Sequence, residues 1–182
     1  MSQRYLDDFA PGEVFKSRPH TLSEKHFAAF AAMTGDAHPV HYDPDYARAK
    51  GWDAPLAHGL LLFGLCALGA APISAELTES MIAMLGNEAR YKRPALVGDT
   101  VTPQFTVVSV EPKGNNRGIV RLAITLHNQR NEVVLEGMHV LMLKRRWNCE
   151  VGSGLRFCAI LEAHARRGRS ATPPPRRPKR KP

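Results

Sequence analysis

The sequence contains little cysteine, with only Cys66, Cys149 and Cys158 among its 182 residues. An odd number of cysteines without paired spacing argues against a disulfide framework and against a cysteine-based zinc site. We therefore expect a protein of a reducing compartment and predict a cytoplasmic location.

Long apolar runs are also missing. The longest stretch without a charged residue, 59–75, has 17 residues and is interrupted by Pro72, Ser74 and three glycines. Crossing a bilayer as a helix takes about 20 predominantly apolar residues. The N-terminal segment MSQRYLDDFAPGE is acidic and has no apolar core, so we expect no signal peptide. The sequence therefore predicts no association with a membrane.

The net charge of +8 is unevenly distributed along the chain. From Lys144 onward there are 12 lysines and arginines against two glutamates, whereas residues 1–143 contain 13 basic and 15 acidic residues. Beyond residue 146 hydrophobic periodicity is lost, and proline and arginine dominate, which is typical of disorder. We predict a folded domain over 1–146 and a basic disordered tail over 147–182. Binding of nucleic acid is expected, if at all, only through this tail.

The first half of the sequence carries helix signals. Ser23 is a suitable N-cap for a helix that runs to about Met33, and Gly35 is a suitable C-terminal cap. Pro44 fits the first position of a short helix that continues through Lys50. These two predicted helices are separated by a loop of about eight residues.

The second half changes to alternating apolar and polar residues, which indicates strands. Before it, the leucine-rich segment from Gly59 to about Ala71 has no polar face, so we predict a central helix buried on all sides. The predicted strands cover Ile82–Lys92, Val101–Val107, Val120–Leu126 and Val133–Leu143. One apolar helix followed by four strands predicts an α+β fold in which an antiparallel sheet wraps around the helix.

Four titratable side chains cluster in the loop between the first two helices: Asp36, His38, His41 and Asp43. Pro39 and Pro44 keep this loop from becoming a regular helix. Neighbouring carboxylate and imidazole groups suit proton transfer, because their unperturbed pKa values lie near about 4 and about 6.5. A structural role, in which Asp36 accepts hydrogen bonds from loop amides, explains that residue equally well on spacing alone.

The loop and the helix that follows resemble the MaoC-like, or R-specific enoyl-CoA hydratase, family of the hot-dog fold. The residues that carry the resemblance are Thr34-Gly35-Asp36, Pro39-Val40-His41, Asp43, Tyr46-Ala47, Gly51 and Pro55–Gly59. A second block, with Arg90-Tyr91, Pro94 and Gly98-Asp99-Thr100, is also similar. The resemblance spans residues 5–145 and implies a hot-dog fold with a long central apolar helix.

The resemblance implies hydration of a trans-2-enoyl-CoA to the R-3-hydroxyacyl form, or the reverse dehydration. Asp36 and His41 are then the catalytic pair that activates one water molecule. The backbone N–H of Gly59 is the implied donor to the thioester oxygen, and a position at a helix start, where unpaired amides point outward, agrees with this. His58 and His38 complete the predicted substrate site, although the family usually has Asn at the position of His38.

Two other functions remain open at this point, an acyl-CoA thioesterase of the hot-dog fold and a non-catalytic binder of acyl thioesters or nucleic acid. We expect no cofactor other than the CoA or acyl carrier protein that carries the substrate. We also expect no metal ion, because Pro39 and the sharp turns oppose a shared coordination sphere. A single hot-dog domain leaves a sheet edge to cover, so we predict a homodimer with the acyl tunnel along its interface.

Overall fold

An antiparallel sheet forms most of the domain in the computed structural model, which describes residues 2–146. The predicted basic tail lies outside the described residues. The strands are β1 (Val14–Lys16), β2 (His20–Thr21), β3 (Met81–Tyr91), β4 (Thr100–Pro112), β5 (Arg117–His127) and β6 (Val133–Lys144). Their order is β1-β4-β5-β6-β3, and β2 pairs with β4. Three of the four long strands agree with the predicted ones within three residues at each end, whereas β4 continues five residues beyond its predicted end at Val107.

The helices are α1 (Glu24–Thr34), α2 (Pro44–Ala49), α3 (Gly59–Leu65) and α4 (Ile73–Glu76). As predicted, Ser23 is the N-cap of α1, and it shares a capping box with His26. Gly35 ends α1 with a φ of +78°, a left-handed conformation that glycine adopts without a steric cost. Pro44 begins α2, because a missing N–H costs nothing at the first position of a helix.

The central helix is shorter and less buried than predicted. It ends after Leu65, and the chain continues through a 3₁₀ turn (Leu68–Ala70) into α4. Glycines at 64 and 69 lower the helix propensity of this segment, and Pro72 opposes a continuous helix. Burial on all sides was a wrong prediction: Leu62 is 3% exposed, but Leu60 is 68% exposed. One face of α3 packs on the sheet, and the opposite face has no cover within residues 2–146.

The hydrophobic core lies between the sheet and α3. Alternate residues of the long strands face it and are nearly or fully inaccessible, among them Val101, Phe105, Val107, Val120, Leu122, Ile124, Leu126, Leu135, Leu141 and Leu143. Burying each large apolar side chain contributes roughly 1.5–3 kcal/mol. The predicted α+β class, with an antiparallel sheet packed on the central helix, is confirmed. No helix within residues 2–146 combines the length and the apolar character needed to cross a membrane.

A buried histidine of β6 connects the sheet to the end of α3. The two ring nitrogens of His139 lie 2.6 Å from Oδ1 of Asn87, on β3, and 2.9 Å from the carbonyl oxygen of Cys66. Its ring stacks on Phe105 at 5.9 Å. Burial lowers the pKa of His139 below its ordinary value of 6.5, with a smaller opposing effect from the Cys66 carbonyl. Burial therefore favours the neutral imidazole, whose single hydrogen can be donated to only one of these two oxygen atoms.

This burial predicts that the free energy of unfolding decreases as the pH falls below about 6.5. The unfolded chain then binds a proton that the folded chain disfavours, whereas above this value both forms are neutral and the stabilisation is complete. Urea denaturation one pH unit above and one pH unit below this value measures the difference in the free energy of unfolding. The variant His139→Gln is expected to show a smaller difference. Equal or greater stability at the lower pH would contradict the assignment.

Candidate active site

The loop between α1 and α2 is held by local hydrogen bonds that its sequence supplies. The carboxylate of Asp43 caps α2 by accepting from the amides of Asp45 (2.8 Å) and Tyr46 (3.1 Å). Ahead of it, residues Pro39–His41 form a 3₁₀ turn whose N-cap is His38. This turn places the side chain of His41 on the same side of the loop as Asp36.

Three titratable side chains meet at the start of α3. Asp36 and His41 come from the loop, and His58 is the N-cap of α3. One nitrogen or oxygen atom from each of the three lies within 4.8 Å of the others. Asp36 is exposed, His41 is half-buried and His58 is 3% exposed, so the cluster runs from the surface into the core. The structure therefore brings together the predicted pair and adds His58 to it.

The hydrogen bond of His41 determines which of its nitrogens faces the site. Nδ1 lies 2.6 Å from the carbonyl oxygen of Leu56, and a carbonyl oxygen only accepts. Nδ1 therefore carries a hydrogen, and when this is the only ring hydrogen Nε2 keeps its lone pair. His41 thus presents an acceptor toward a water molecule or a substrate.

His58 packs against the ring of His41 on the side that faces the core. The two imidazole rings stack with centroids 3.8 Å apart and planes inclined by 24°. Phe30 packs on the ring of His58 at 4.6 Å, and Phe27 meets it edge-on at 5.8 Å. Burial, with a smaller effect from neighbouring His41, lowers the pKa of His58. His58 therefore stays neutral, and the stacked pair avoids the repulsion of two charged rings.

A residue that the sequence analysis did not single out, Tyr42, touches the same cluster. Its hydroxyl lies 2.7 Å from the carbonyl oxygen of Asp36 and 2.8 Å from Nε2 of His58. The partners come from different segments of the chain, so no local pattern in the sequence predicts this contact. The only available signal is the presence of a phenol within a loop of titratable residues.

Gly59 begins α3 beside the cluster. Among the described residues, its backbone N–H donates to no other group, as expected for the first turn of a helix. A Cβ atom at this position would lie 2.7 Å from Cζ of Tyr91, the last residue of β3. Glycine at position 59 thus allows the ring of Tyr91 to approach the beginning of the helix.

His38, the fifth predicted site residue, lies on the exposed side of the loop. Its ring is 6.2 Å from that of His41 and 5.7 Å from that of Tyr46. Its Nδ1 accepts a hydrogen bond from the amide of Val40 at 3.3 Å. In asparagine, Oδ1 is bonded to Cγ just as Nδ1 is in histidine, and it is also an acceptor. The histidine can therefore provide the same cap as the asparagine common in the family.

The cluster also has the composition of a metal site, since a carboxylate and two imidazoles are frequent zinc ligands. The orientation of its rings is unfavourable for this role. An imidazole binds a metal along a lone pair in the ring plane, at about 2 Å. The rings of His41 and His58 lie 3.8 Å apart with planes inclined by only 24°, so one ion about 2 Å from both rings cannot lie in both planes without reorienting a ring. The residues fit a shared water molecule better than a shared ion.

A groove of about 280 Å³ lies elsewhere, at β3, β5 and β6. Its lining is Glu88, Arg90, Ala123, Ile124, Thr125, Glu136 and Gly137, and none of the cluster residues contributes to it. The catalytic candidates and this groove are therefore separate features of the single chain.

The family of the chain follows from a match to the model of the MaoC like domain, which covers residues 8–128. The chain belongs to this family. The match includes the loop with Asp36 and His41, the start of α3 at Gly59, and strands β3 to β5.

Named relatives are consistent with this family. The (R)-specific enoyl-CoA hydratase of Rhodospirillum rubrum is 28% identical over 142 residues, which cover 78% of this chain and 93% of that protein. The (R)-specific enoyl-CoA hydratase of Aeromonas caviae is 29% identical over 116 residues, covering 64% and 82%. A solved structure from Mycobacterium tuberculosis, described as a double hot-dog fold, has a TM-score of 0.67 at 28% identity and matches 82% of this chain and 47% of that one. The fold is the hot-dog fold, as predicted.

Proposed function

We propose that the protein catalyses R-specific hydration of trans-2-enoyl-CoA, or the reverse dehydration of R-3-hydroxyacyl-CoA. The observation that carries this proposal is the approach of the Asp36 and His41 side chains to within 4.8 Å in front of α3. Relatives named as R-specific enoyl-CoA hydratases support the substrate class and the stereochemistry.

The upper limit of 4.8 Å on the distance between the two side chains leaves room for one bridging water molecule. Two hydrogen bonds of about 2.8 Å that meet at a tetrahedral water span about 4.6 Å. An ionised Asp36 and the Nε2 atom of neutral His41 both accept hydrogen bonds, so both hydrogens of the water are held. The lone pairs of its oxygen then remain free to attack carbon.

The reaction needs one proton to leave the water and one to reach the substrate. As the water oxygen attacks C3, one member of the pair takes its proton, and the electrons of the double bond move toward the thioester oxygen. The pair then delivers a proton to C2, so that OH and H are added and the enzyme returns to its starting state. Because both groups act from one face of the substrate, the addition is syn.

The negative charge that develops on the thioester oxygen needs a hydrogen-bond donor. The N–H of Gly59 is free among the described residues and lies next to His58 in the sequence, beside the pair. A donor placed in advance stabilises such charge at no reorganisation cost during the reaction. We assign this role to the Gly59 amide, and we place His58 behind His41 as its support.

Comparing Gly59→Pro with Gly59→Ala tests this donor. Both variants add a Cβ that displaces Tyr91, but only proline removes the N–H. Proline suits the first position of a helix, and His58, with a ψ of 134°, already has a conformation that a following proline accepts. We expect kcat for crotonyl-CoA hydration to be about 10²–10³-fold lower in Gly59→Pro than in Gly59→Ala.

Circular dichroism and thermal unfolding of both variants provide the control for folding. Equal kcat values in two folded variants would show that the Gly59 N–H is not the donor to the thioester oxygen.

Asp36→Asn and His41→Ala are each expected to abolish hydration, because each removes one of the two groups that handle the proton. Loss of enoyl absorbance from crotonyl-CoA measures the rate, and the circular dichroism spectrum should stay unchanged. The matched control is Asp45→Asn, which makes the same chemical change at an exposed carboxylate that pairs with Arg48. Near-normal turnover in either site variant would show that the catalytic assignment is wrong.

The same assay separates the other functions. Loss of enoyl absorbance with the thiol still masked means hydration, release of a thiol means hydrolysis, and no change means a binding protein. Cys66 offers no nucleophile for hydrolysis, since the residue is fully buried and burial raises its pKa to about 12. We retain the expectations that the acyl carrier is the only cofactor-like group and that the protein acts in the cytoplasm.

The edge strand β3 supports the proposal of a homodimer. It pairs on one side with β6, and its other side has no partner strand within residues 2–146. Along it Ile82, Met84 and Leu85 are 43–48% exposed, and long apolar edges invite pairing with another chain. The double hot-dog protein, of which this chain covers 47%, also suggests that two such domains belong together. A second copy, paired through the same strand, satisfies the symmetry of a dimer.

Light scattering coupled to size-exclusion chromatography is expected to give twice the chain mass of 20.1 kDa. Replacing Met84 and Leu85 together by lysine should lower this mass, because charge on the edge opposes pairing. Val108→Lys, at a comparably exposed apolar residue of β4, serves as the control and should leave the mass unchanged. A wild-type protein that elutes with the mass of one chain would contradict the dimer.

A further inference from the structure

The hydroxyl group of Tyr42 is within hydrogen-bond distance of three groups at once. Besides the carbonyl oxygen of Asp36 and Nε2 of His58, the carbonyl oxygen of Phe27 lies 3.3 Å away. These partners belong to α1, to the loop after it and to the N-cap of α3. A phenol has one hydrogen to donate, so the roles of the three partners cannot be the same.

The chemistry of the partners determines the direction of each hydrogen bond. Carbonyl oxygens only accept, whereas a neutral imidazole nitrogen can donate. Tyr42 therefore donates to the carbonyl of Asp36, its nearer carbonyl partner, and accepts from Nε2–H of His58. The opposite assignment would have Tyr42 donate to His58 and would leave two oxygen acceptors, its own hydroxyl and the carbonyl of Asp36, 2.7 Å apart with no hydrogen between them. Nδ1 of His58 is buried without a partner among the described residues whichever nitrogen carries the hydrogen, so it does not distinguish the two assignments.

The environment of Tyr42 agrees with a neutral donor. Burial, with a smaller effect from the negative charge of Asp36, raises the pKa of Tyr42 above its ordinary value of 10. The phenol therefore keeps its hydrogen over the range in which the enzyme would work.

We propose that Tyr42 is a positioning residue that fixes the backbone of Asp36 and the tautomer and orientation of His58 through one hydroxyl group. The inference rests on the proposed hydratase function, for which it adds a residue. Since His41 stacks on His58, and His58 precedes Gly59, the same hydroxyl orients both members of the catalytic pair and the beginning of α3.

The contact matters because proton transfer depends on short distances. Without this hydroxyl, the hydrogen bonds left to Asp36 among the described residues are weak and local: its amide donates to Oγ1 of Thr34 at 3.2 Å, and its carboxylate accepts from the His38 amide at 3.4 Å. Displacements of about 1 Å in a catalytic group are enough to lower rates about 10²-fold. We therefore expect the effect to appear in kcat and not in KM.

Tyr42→Phe is the informative variant, because it keeps the ring that packs beside His41 and removes only the hydroxyl. We expect kcat for crotonyl-CoA to fall about 10- to 100-fold, with KM within a factor of about two and an unchanged circular dichroism spectrum. Tyr46→Phe is the matched control: Tyr46 also lies in this region, and its hydroxyl has no hydrogen bond within the described residues. It should keep the wild-type kcat.

Nitrogen-15 NMR of the histidine rings gives a second readout that does not depend on activity. In the wild-type protein His58 should carry its hydrogen on Nε2, and in Tyr42→Phe the signals should shift toward a mixture of tautomers. Either a wild-type His58 with its hydrogen on Nδ1 or a Tyr42→Phe variant with full kcat would overturn the proposal. A wild-type protein that does not hydrate enoyl-CoA would instead overturn the proposed function, while the NMR result would still decide the hydrogen-bond assignment.

Discussion

The stacked imidazoles of His41 and His58 join the loop after α1 to the start of α3, and the candidate site depends on this contact. Burial of His58 between His41 and Phe30 keeps its ring neutral, because charge there would have to be desolvated next to a second imidazole. In the reaction that we propose, the proton is therefore assigned to His41 and Asp36, at the solvent-facing side. The inner ring, that of His58, orients His41 and does not compete for the proton.

The sheet holds α3 in the place that this arrangement requires. Four long strands provide a rigid surface on which a helix of only seven residues can be held. His139 joins β6 and β3 to the end of this helix, and Tyr91 of β3 packs against its beginning at Gly59. Both ends of α3 thus contact the sheet, and the amide of Gly59 and the ring of His58 lie at the end that faces the loop.

The sequence predicted those features whose causes are local. Ser23, Gly35 and Pro44 mark helix ends because capping and backbone conformation depend on a few neighbouring residues. Alternation of apolar residues located the long strands, and the resemblance of the loop motif to the MaoC-like family indicated the pair of Asp36 and His41.

Features that depend on distant segments could not be predicted in the same way. The exposure of Leu60 reflects which face of α3 meets the sheet, and a run of leucines gives no information on this. The hydrogen bonds of Tyr42 join α1, the loop and the start of α3, so they exist only once the chain has folded. The stacking of His58 on His41 is non-local for the same reason.

The central claim, that one carboxylate and one imidazole act on a single water from one face of the substrate, is tested most directly by the stereochemistry of addition. Hydration of crotonyl-CoA in deuterated water labels C2 of the product, and the proton coupling between C2 and C3 in its NMR spectrum reports the relative configuration. We predict a single product in which the deuterium and the hydroxyl group were added to the same face. Anti addition, or a mixture of the two labelled products, would contradict the account.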